Sequence, residues 1–302
     1  MKKTVSVIIP TYSRPDSISR AIDSVLSQTY SPIEIIVVDD NGAGTPWQIE
    51  TEKTLAPYIQ NGQIRYIRHP ENKNGAAARN TGFQASTGEY VTFLDDDDVC
   101  LPQKIEKQVN AIEHAAGPKV AMAYCGYSVI KNGKVLSKRS LSGEGNYHDG
   151  MLLGEFVLGS GSNLLIKREA VARVGGYDEA FMRHQDTEFT IRLSRYYDVV
   201  AVPEILLEKY NDSTPRRPSG RKYLQIEEQF LEAFRSDIDA MSPAQADKVR
   251  YASYFRLALC AANERDLPFL HEMMKKAEAC HGIPFKDHLR ILKNIVLRPK
   301  LR

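Results

Sequence analysis

The chain has 302 residues, of which 42% are apolar and 26% charged, and its formal net charge is +2. That composition supports a full hydrophobic core and excludes a disordered chain. The near-balanced charge gives no electrostatic footprint for a nucleic-acid partner. The four cysteines, Cys100, Cys125, Cys260 and Cys280, lie far apart. They match no zinc or redox spacing and suit a reducing cytoplasm. No apolar run reaches the ~18 residues of a membrane span. The first apolar run meets Pro10 and the polar Thr11-Tyr12-Ser13-Arg14 too early for a signal peptide.

The first hundred residues alternate between two periods. "TVSVIIP" (4–10) reads as a buried strand, and Ile18, Ala21, Ile22, Val25 and Leu26 follow helical spacing. "IEIIVVDD" (33–40) is a second strand, and 47–59 a helix with Gly62 beyond its end. "QIRYIRH" is a third strand, "NGAAARNTGFQAS" a helix stopped by Gly88, and "YVTFLD" a fourth strand. Ile105, Val109 and Ile112 mark the next helix. This alternation predicts an α/β fold with strands covered on both faces, where ligands bind at the carboxyl ends of the strands. Further on, "VAMAYCGYSVI", Asn132-Gly133 and "VLSKR" predict a hairpin. "GSGSNLLIK" and "DVVAVP" predict strands flanking a helix from about Gln185 to Tyr196. "NDSTPRRPSG" (211–220) reads as a linker, and everything from Lys222 onward as helix. The expected divisions are 1–115, 116–215 and a helical extension, 216–302.

Three polar clusters fall at strand ends: Thr11 to Arg14, Asp39-Asp40-Asn41, and Asp95 to Asp98. The last is four consecutive carboxylates. Neighbours about 5 Å apart repel by roughly 3 kcal/mol at an effective dielectric near 20. A solvated turn lowers that cost and a divalent cation reverses it. On an extended chain Asp95 and Asp97 face one side and can converge on Mg²⁺ or Mn²⁺, leaving coordination positions for a diphosphate. Gly75 near a helix start and Arg79 one turn in suit a phosphate, against the plainer reading of an ordinary helix with Arg79 solvated. Asp40 suits a base or ribose, or a turn. Tyr12 suits a nucleobase stack, or cover for the sheet edge. Asp186 and Glu188, in "RHQDTEF", are candidate bases, with a helical salt bridge as the plainer alternative. His184 reads more simply as a packing residue.

Four stretches in order, "VSVIIPTYSRP", "IEIIVVDDNG", "NKNGAAARNTGFQASTGEYVTFLDDDDV" and "GGYDEAFMRHQDTEFTIRL", resemble family 2 glycosyltransferases over roughly residues 4–210. The resemblance implies a GT-A fold: a Rossmann-like nucleotide-binding half, a mixed central sheet with helices on both faces, and here a helical C-terminal extension. It implies an inverting enzyme that moves a sugar from a nucleotide-sugar, first of all a UDP-sugar, to a glycan or lipid-linked acceptor in surface-polysaccharide synthesis. Pro10, Thr11, Tyr12, Arg14, Asp40, Arg79, Asp95 and Asp96 would hold the nucleotide, and Asp95 and Asp97 the Mg²⁺ or Mn²⁺. The acidic pair that supplies the base in the family reads Gln185-Asp186 here, so Asp186 inherits the role. Glu188, His184, Arg216 and Arg217 are candidates for acceptor or diphosphate contacts. Two rivals stand beside this reading. One is a non-catalytic nucleotide-sugar-binding scaffold. The other is a haloacid dehalogenase-like phosphohydrolase, whose motif "FLDDDDV" also fits. The tail "FKDHLRILKNIVLRPKLR" interleaves basic and apolar residues. It suits a peripheral contact with the inner membrane face, a dimer helix, or a helix packed on the domain.

Overall fold

The computed structural model describes residues 2–211 and 219–297. Arg216, Arg217, Arg298, Lys300 and Arg302 lie outside the described residues. The chain divides into two compact units, Met1–His148 with Leu158–Thr214, and Asp149–Val157 with Pro215–Arg302.

The first unit opens with β1 (Val5–Thr11), α1 (Pro15–Leu26), β2 (Ile33–Asp39), α2 (Pro46–Gln60), β3 (Arg65–Arg68), α3 (Gly75–Ala85) and β4 (Tyr90–Phe93). The strands pair in parallel in the order β3-β2-β1-β4. Alternate residues of β1 and β2 face opposite sides, which explains their unbroken apolar runs. Val5, Val7, Ile9, Ile35 and Val37 share a core with Ile18, Ile22 and Val25 of α1. Ile36 and Val38 pack with Ala78 of α3 on the other face. The Ala-rich, Gly-containing character of α3 has a steric cause: a Cβ on Gly82 would stand 2.3 Å from Ile8 Cγ2. Asn74 starts this helix, its side chain accepting from the N–H groups of Ala76 and Ala77 at 2.9 and 3.2 Å.

Beyond the acidic run lie β5 (Val99–Cys100), α4 (Lys104–His114) and the hairpin β6 (Val120–Lys131) and β7 (Lys134–Arg139). They are followed by α5 (His148–Leu152), β8 (Leu165–Lys167), α6 (Arg168–Val174), α7 (Gln185–Ser194) and β9 (Asp198–Tyr210). β8 joins β4 and β6 antiparallel, and β9 lies parallel to β6. The sheet is therefore mixed, as a GT-A fold requires. Two expectations are corrected. "GSGSNLLIK" is not one strand: a 3₁₀ turn, Gly161–Asn163, precedes the three-residue β8, with Ser160 Oγ accepting from Ser162 N. β9 does not stop at Pro203 but runs to Tyr210, with a register shift against β6 at Gly126.

In the second unit the stretch from Lys222 is helical as expected and, among the described residues, divides into five helices. They are α8 (Gly220–Ala233), α9 (Arg235–Asp239), α10 (Pro243–Glu264), α11 (Leu267–Cys280) and α12 (Phe285–Leu297). Arg265 in the left-handed region ends α10 and Pro268 restarts the chain as α11. Phe255, Leu257, Ala258, Ala261, Phe269, Met273 and Ala277 form this unit's core. Among the described residues no helix is long and apolar enough to cross a membrane.

Candidate active site

The carboxyl ends of β1 and β4 meet at the acidic run. Asp96 is buried and turned inward. Thr11 Oγ1 donates to its Oδ2 at 2.8 Å, Tyr12 N to the same oxygen at 3.4 Å, and Arg14 Nη1 to Oδ1 at 3.0 Å. Arg14 also reaches Asp97 Oδ2 at 2.6 Å. Asp98 is buried too, and Ser160 Oγ donates to it at 3.3 Å. Asp95 and Asp97 keep part of their surface. The run is not extended: Asp98 N donates to the Asp95 carbonyl at 3.0 Å, which closes a turn over 95–98, and the turn leaves Asp95 and Asp97 partly exposed while Asp96 and Asp98 are buried. Burial pushes the Asp96 carboxyl up to about 6, against the charge of Arg14. Burial and then the charge of Asp95 push Asp98 up to about 8. Burial raises Asp97 as well, with Asp95 adding to it and Arg14 opposing. Arg20, which sequence reasoning did not single out, donates from Nη2 to the Asp97 carbonyl at 3.1 Å and lies 3.6 Å from the Tyr210 ring centroid.

Arg79 joins this run to the start of α7. Its Nη2 donates to Asp95 Oδ1 at 2.7 Å and its Nη1 to Gln185 Oε1 at 3.1 Å. Its guanidinium stands 5.2 Å from the ring centroid of Tyr177. Burial works against the Arg79 charge, but Asp186 and Asp95 more than offset it, so its pKa lies above the ordinary value. Asp186 sits between two donors: Gly161 N at 3.1 Å to Oδ2 and Tyr177 OH at 3.4 Å to Oδ1. Tyr177 is itself fixed by stacking on Phe189 at 4.1 Å and by the edge of Phe93 at 5.0 Å. Gly161 has no room for a side chain, because a Cβ there would lie 2.5 Å from Asp186 Oδ1. Gly161 and Tyr177 were not foreseen. Their only sequence signals are the small-residue run "GSGS" and a place within "GGYDEAF".

Other predicted residues serve differently. Asp40 is buried, and its two oxygens take Asn72 Nδ2, Lys73 N and Asn74 N at 2.8–2.9 Å and share a 2.7 Å hydrogen bond with His69 Nδ1. In this arrangement its lone pairs shape the loop that starts α3 and none is left for a nucleotide. Glu188 is buried and pairs with Arg192 at i+4, which in turn donates to the carbonyls of Val174 and Gly176. Through Arg192 it braces α6 against α7, the helical salt bridge that the sequence offered as the plainer alternative. His184 takes the left-handed conformation at the N-terminus of α7, with no side-chain cap bond there. Tyr12 is exposed, and Pro10 is half-buried in the β1 ladder opposite Val38.

Among the described residues no three His, Cys, Asp or Glu side chains cluster as a metal site. Two carboxylates of the turn, Asp95 and Asp97, are partly exposed, and each is balanced by an arginine, Arg79 and Arg14. Their mutual repulsion suits a hard cation, and their small number suits one that also binds a diphosphate.

The parallel β3-β2-β1-β4 half, the acidic run after β4 and the antiparallel return through β8 have the architecture of the GT-A class of glycosyltransferase fold. Solved structures share it. TarS 1–349 of S. aureus in complex with UDP-GlcNAc is 14% identical, with a TM-score of 0.62 over 92% of this chain and 89% of that one. The mannosyltransferase PcManGT of Pyrobaculum calidifontis, in complex with GDP-Man and Mn²⁺, is 20% identical, with a TM-score of 0.58 over 98% and 81%. At these identities the likeness is one of fold. The chain belongs to glycosyl transferase family 2, whose model matches residues 6–175. That membership, and the position of the acidic run after the fourth strand, set the phosphohydrolase reading aside. The amylovoran biosynthesis glycosyltransferase AmsB of Erwinia amylovora is 30% identical over 63% of this chain. WfaP of Escherichia coli, described as a UDP-Glc:alpha-D-GlcNAc-diphosphoundecaprenol beta-1,3-glucosyltransferase, is 34% identical over 47% of it. The matched part spans 64% of AmsB and 53% of WfaP.

Proposed function

We propose that the protein is an inverting glycosyltransferase of surface-polysaccharide synthesis, moving a sugar from a UDP-sugar to a hydroxyl of a glycan or lipid-linked acceptor on the cytoplasmic side of the membrane. The observation that carries this reading is the placement of Asp186. A carboxylate held by Gly161 N and Tyr177 OH stands beside the Arg79–Asp95 pair. In the proposed reaction Asp186 accepts the proton of the acceptor hydroxyl as its oxygen bonds to C1 of the sugar. The C1–oxygen bond to the diphosphate breaks with its electron pair staying on the diphosphate, and C1 inverts. Arg79 and Arg14 turn from their carboxylates toward the charge that develops on the leaving group. Tyr12, exposed beside them, stacks on the base. Asp95 and Asp97 would hold a Mg²⁺ or Mn²⁺, which supplies positive charge for the diphosphate oxygens. WfaP supports the choice of a UDP-sugar and a lipid-diphosphate acceptor, and PcManGT the choice of cation.

Gln185 in place of an acid does not remove the function under this reading. Its amide oxygen meets Arg79, and Asp186 alone keeps the charge needed to take a proton. A panel of nucleotide-sugars incubated with Mn²⁺ or Mg²⁺ tests the proposal. We expect slow, metal-dependent release of UDP from one donor, accelerated by an acceptor extract. No hydrolysis or transfer from any donor, with UDP still bound, would favour the non-catalytic scaffold.

A further inference from the structure

α12 has two unlike faces. Toward the second unit's core it presents Asp287 and Ile291, both buried. Tyr251 OH donates to Asp287 Oδ2 at 2.7 Å and Arg290 Nη1 to Oδ1 at 2.8 Å, so this side is fully partnered. On the other side Phe285, Leu289, Leu292 and Val296 are 78, 50, 56 and 63% exposed. Their spacing of four, three and four residues keeps them within an arc of about 60° at 100° per residue. Lys286 and Lys293, both exposed, fall along one border of that stripe, and exposed His288 along the other. The helix holds a single acid, Asp287, and it points inward.

We propose that this face of α12 docks on an anionic lipid surface, with the four apolar side chains entering the headgroup boundary and Lys286 and Lys293 meeting lipid phosphates. A basic border, an apolar stripe and no outward acid are the features that make an interfacial helix. A second copy of the chain fits less well. Paired stripes would bring lysines together with no outward carboxylate on α12 to meet them. Four side chains are also far fewer than the roughly 20–30 residues a side of a stable interface. The proposal stands independently of the donor and of the base. A membrane-held enzyme would meet a lipid-linked acceptor without diffusing through bulk water.

The test is flotation of the full chain with vesicles of phosphatidylcholine alone and of phosphatidylcholine containing a third phosphatidylglycerol. The wild type should float with the anionic vesicles and not the neutral ones, and rising salt should release it. Each lysine near the headgroups is worth about fivefold in affinity. Lys286→Glu with Lys293→Glu should therefore lower vesicle affinity at least about 25-fold. Leu289→Ser with Leu292→Ser should lower it by more than about tenfold. In both variants UDP binding and the circular dichroism spectrum should be unchanged. Failure of the wild type to float, equal flotation on both vesicle types, or retention by both variants overturns the proposal. So does a wild-type dimer in sedimentation that the leucine pair converts to monomer with no vesicle binding in either form; that result would assign the stripe to self-association.

Discussion

Substituting Gly161 by Ala isolates the placement of the proposed base. The backbone at 161 lies outside the left-handed region, so alanine meets no conformational penalty there; the conflict is with Asp186. Its Cβ would stand 2.5 Å from Oδ1 and 2.9 Å from Cγ, whereas ordinary contact begins near 3.4 Å. The carboxylate must retreat by about 1 Å and gives up the 3.1 Å hydrogen bond from Gly161 N. A misplacement of that size in a reacting group costs about 100-fold in rate, or about 2.7 kcal/mol of barrier. Nucleotide affinity should stay within about threefold, because Gly161 is placed against the base and not against the arginines. Transfer from the donor found in the screen gives kcat, calorimetric titration gives UDP affinity, and a thermal melt controls for folding. Tyr177→Phe perturbs the other oxygen of Asp186 without crowding it, and loss of that long hydrogen bond should lower kcat about fivefold. Turnover by Gly161→Ala within twofold of wild type, with the fold intact, would refute the reasoning that Asp186 must sit where the structure holds it.

Asp97→Ala should abolish transfer and weaken UDP binding at least tenfold, and excess EDTA should do the same to the wild type; full activity in EDTA contradicts the assignment of Asp95 and Asp97 to a cation. Glu188→Gln breaks a buried ion pair and should destabilise by about 3 kcal/mol, because Arg192 is left uncompensated. Calorimetry should show Tm lower by about 5–10 °C, with kcat of the folded fraction within threefold of wild type. Glu34 gives a pH signature. Burial raises its carboxyl, but hydrogen bonds from Ser6, Thr87 N and Gly88 N outweigh burial and hold it below its ordinary 4.5. A depressed carboxyl contributes stability above its unfolded pKa and loses it as pH falls through the folded value. Denaturant midpoints should show Glu34→Gln less stable at pH 7, by about 1 kcal/mol after allowance for solvent screening. The gap should narrow as pH falls below about 4.5 and the Glu34 carboxyl takes up a proton.

Much of the first unit is legible in sequence because burial on both faces writes long apolar runs. β1, β2 and β4 lie within a residue or two of the stretches "TVSVIIP", "IEIIVVDD" and "YVTFLD". The extended reading of Asp95 to Asp98 fails, because the chain leaves β4 at Phe93 and closes a turn from Asp98 N to the Asp95 carbonyl. What local pattern does not carry is long-range satisfaction of polar groups. Asp40 looks available in sequence, yet it is taken up by donors 29 to 34 residues away. Glu188 at a helix start looks like a base, and only the carbonyls of Val174 and Gly176 around Arg192 reveal it as a brace. Gly161 meets Asp186 across 25 residues, a steric relation with no sequence period. The stretch "DVVAVP" ends at Pro203, yet β9 runs on to Tyr210, with a register shift against β6 at Gly126.

The central claim is that Asp186 takes the acceptor's proton while other groups hold the donor. Asp186→Asn keeps the shape of the side chain and removes its basicity. A positioned base contributes roughly a hundred- to ten-thousand-fold in rate. The decisive measurement is the transfer rate of Asp186→Asn beside its UDP affinity. The account predicts a rate at least about 100-fold below wild type with UDP affinity within about threefold. A variant that transfers sugar at near the wild-type rate would contradict it.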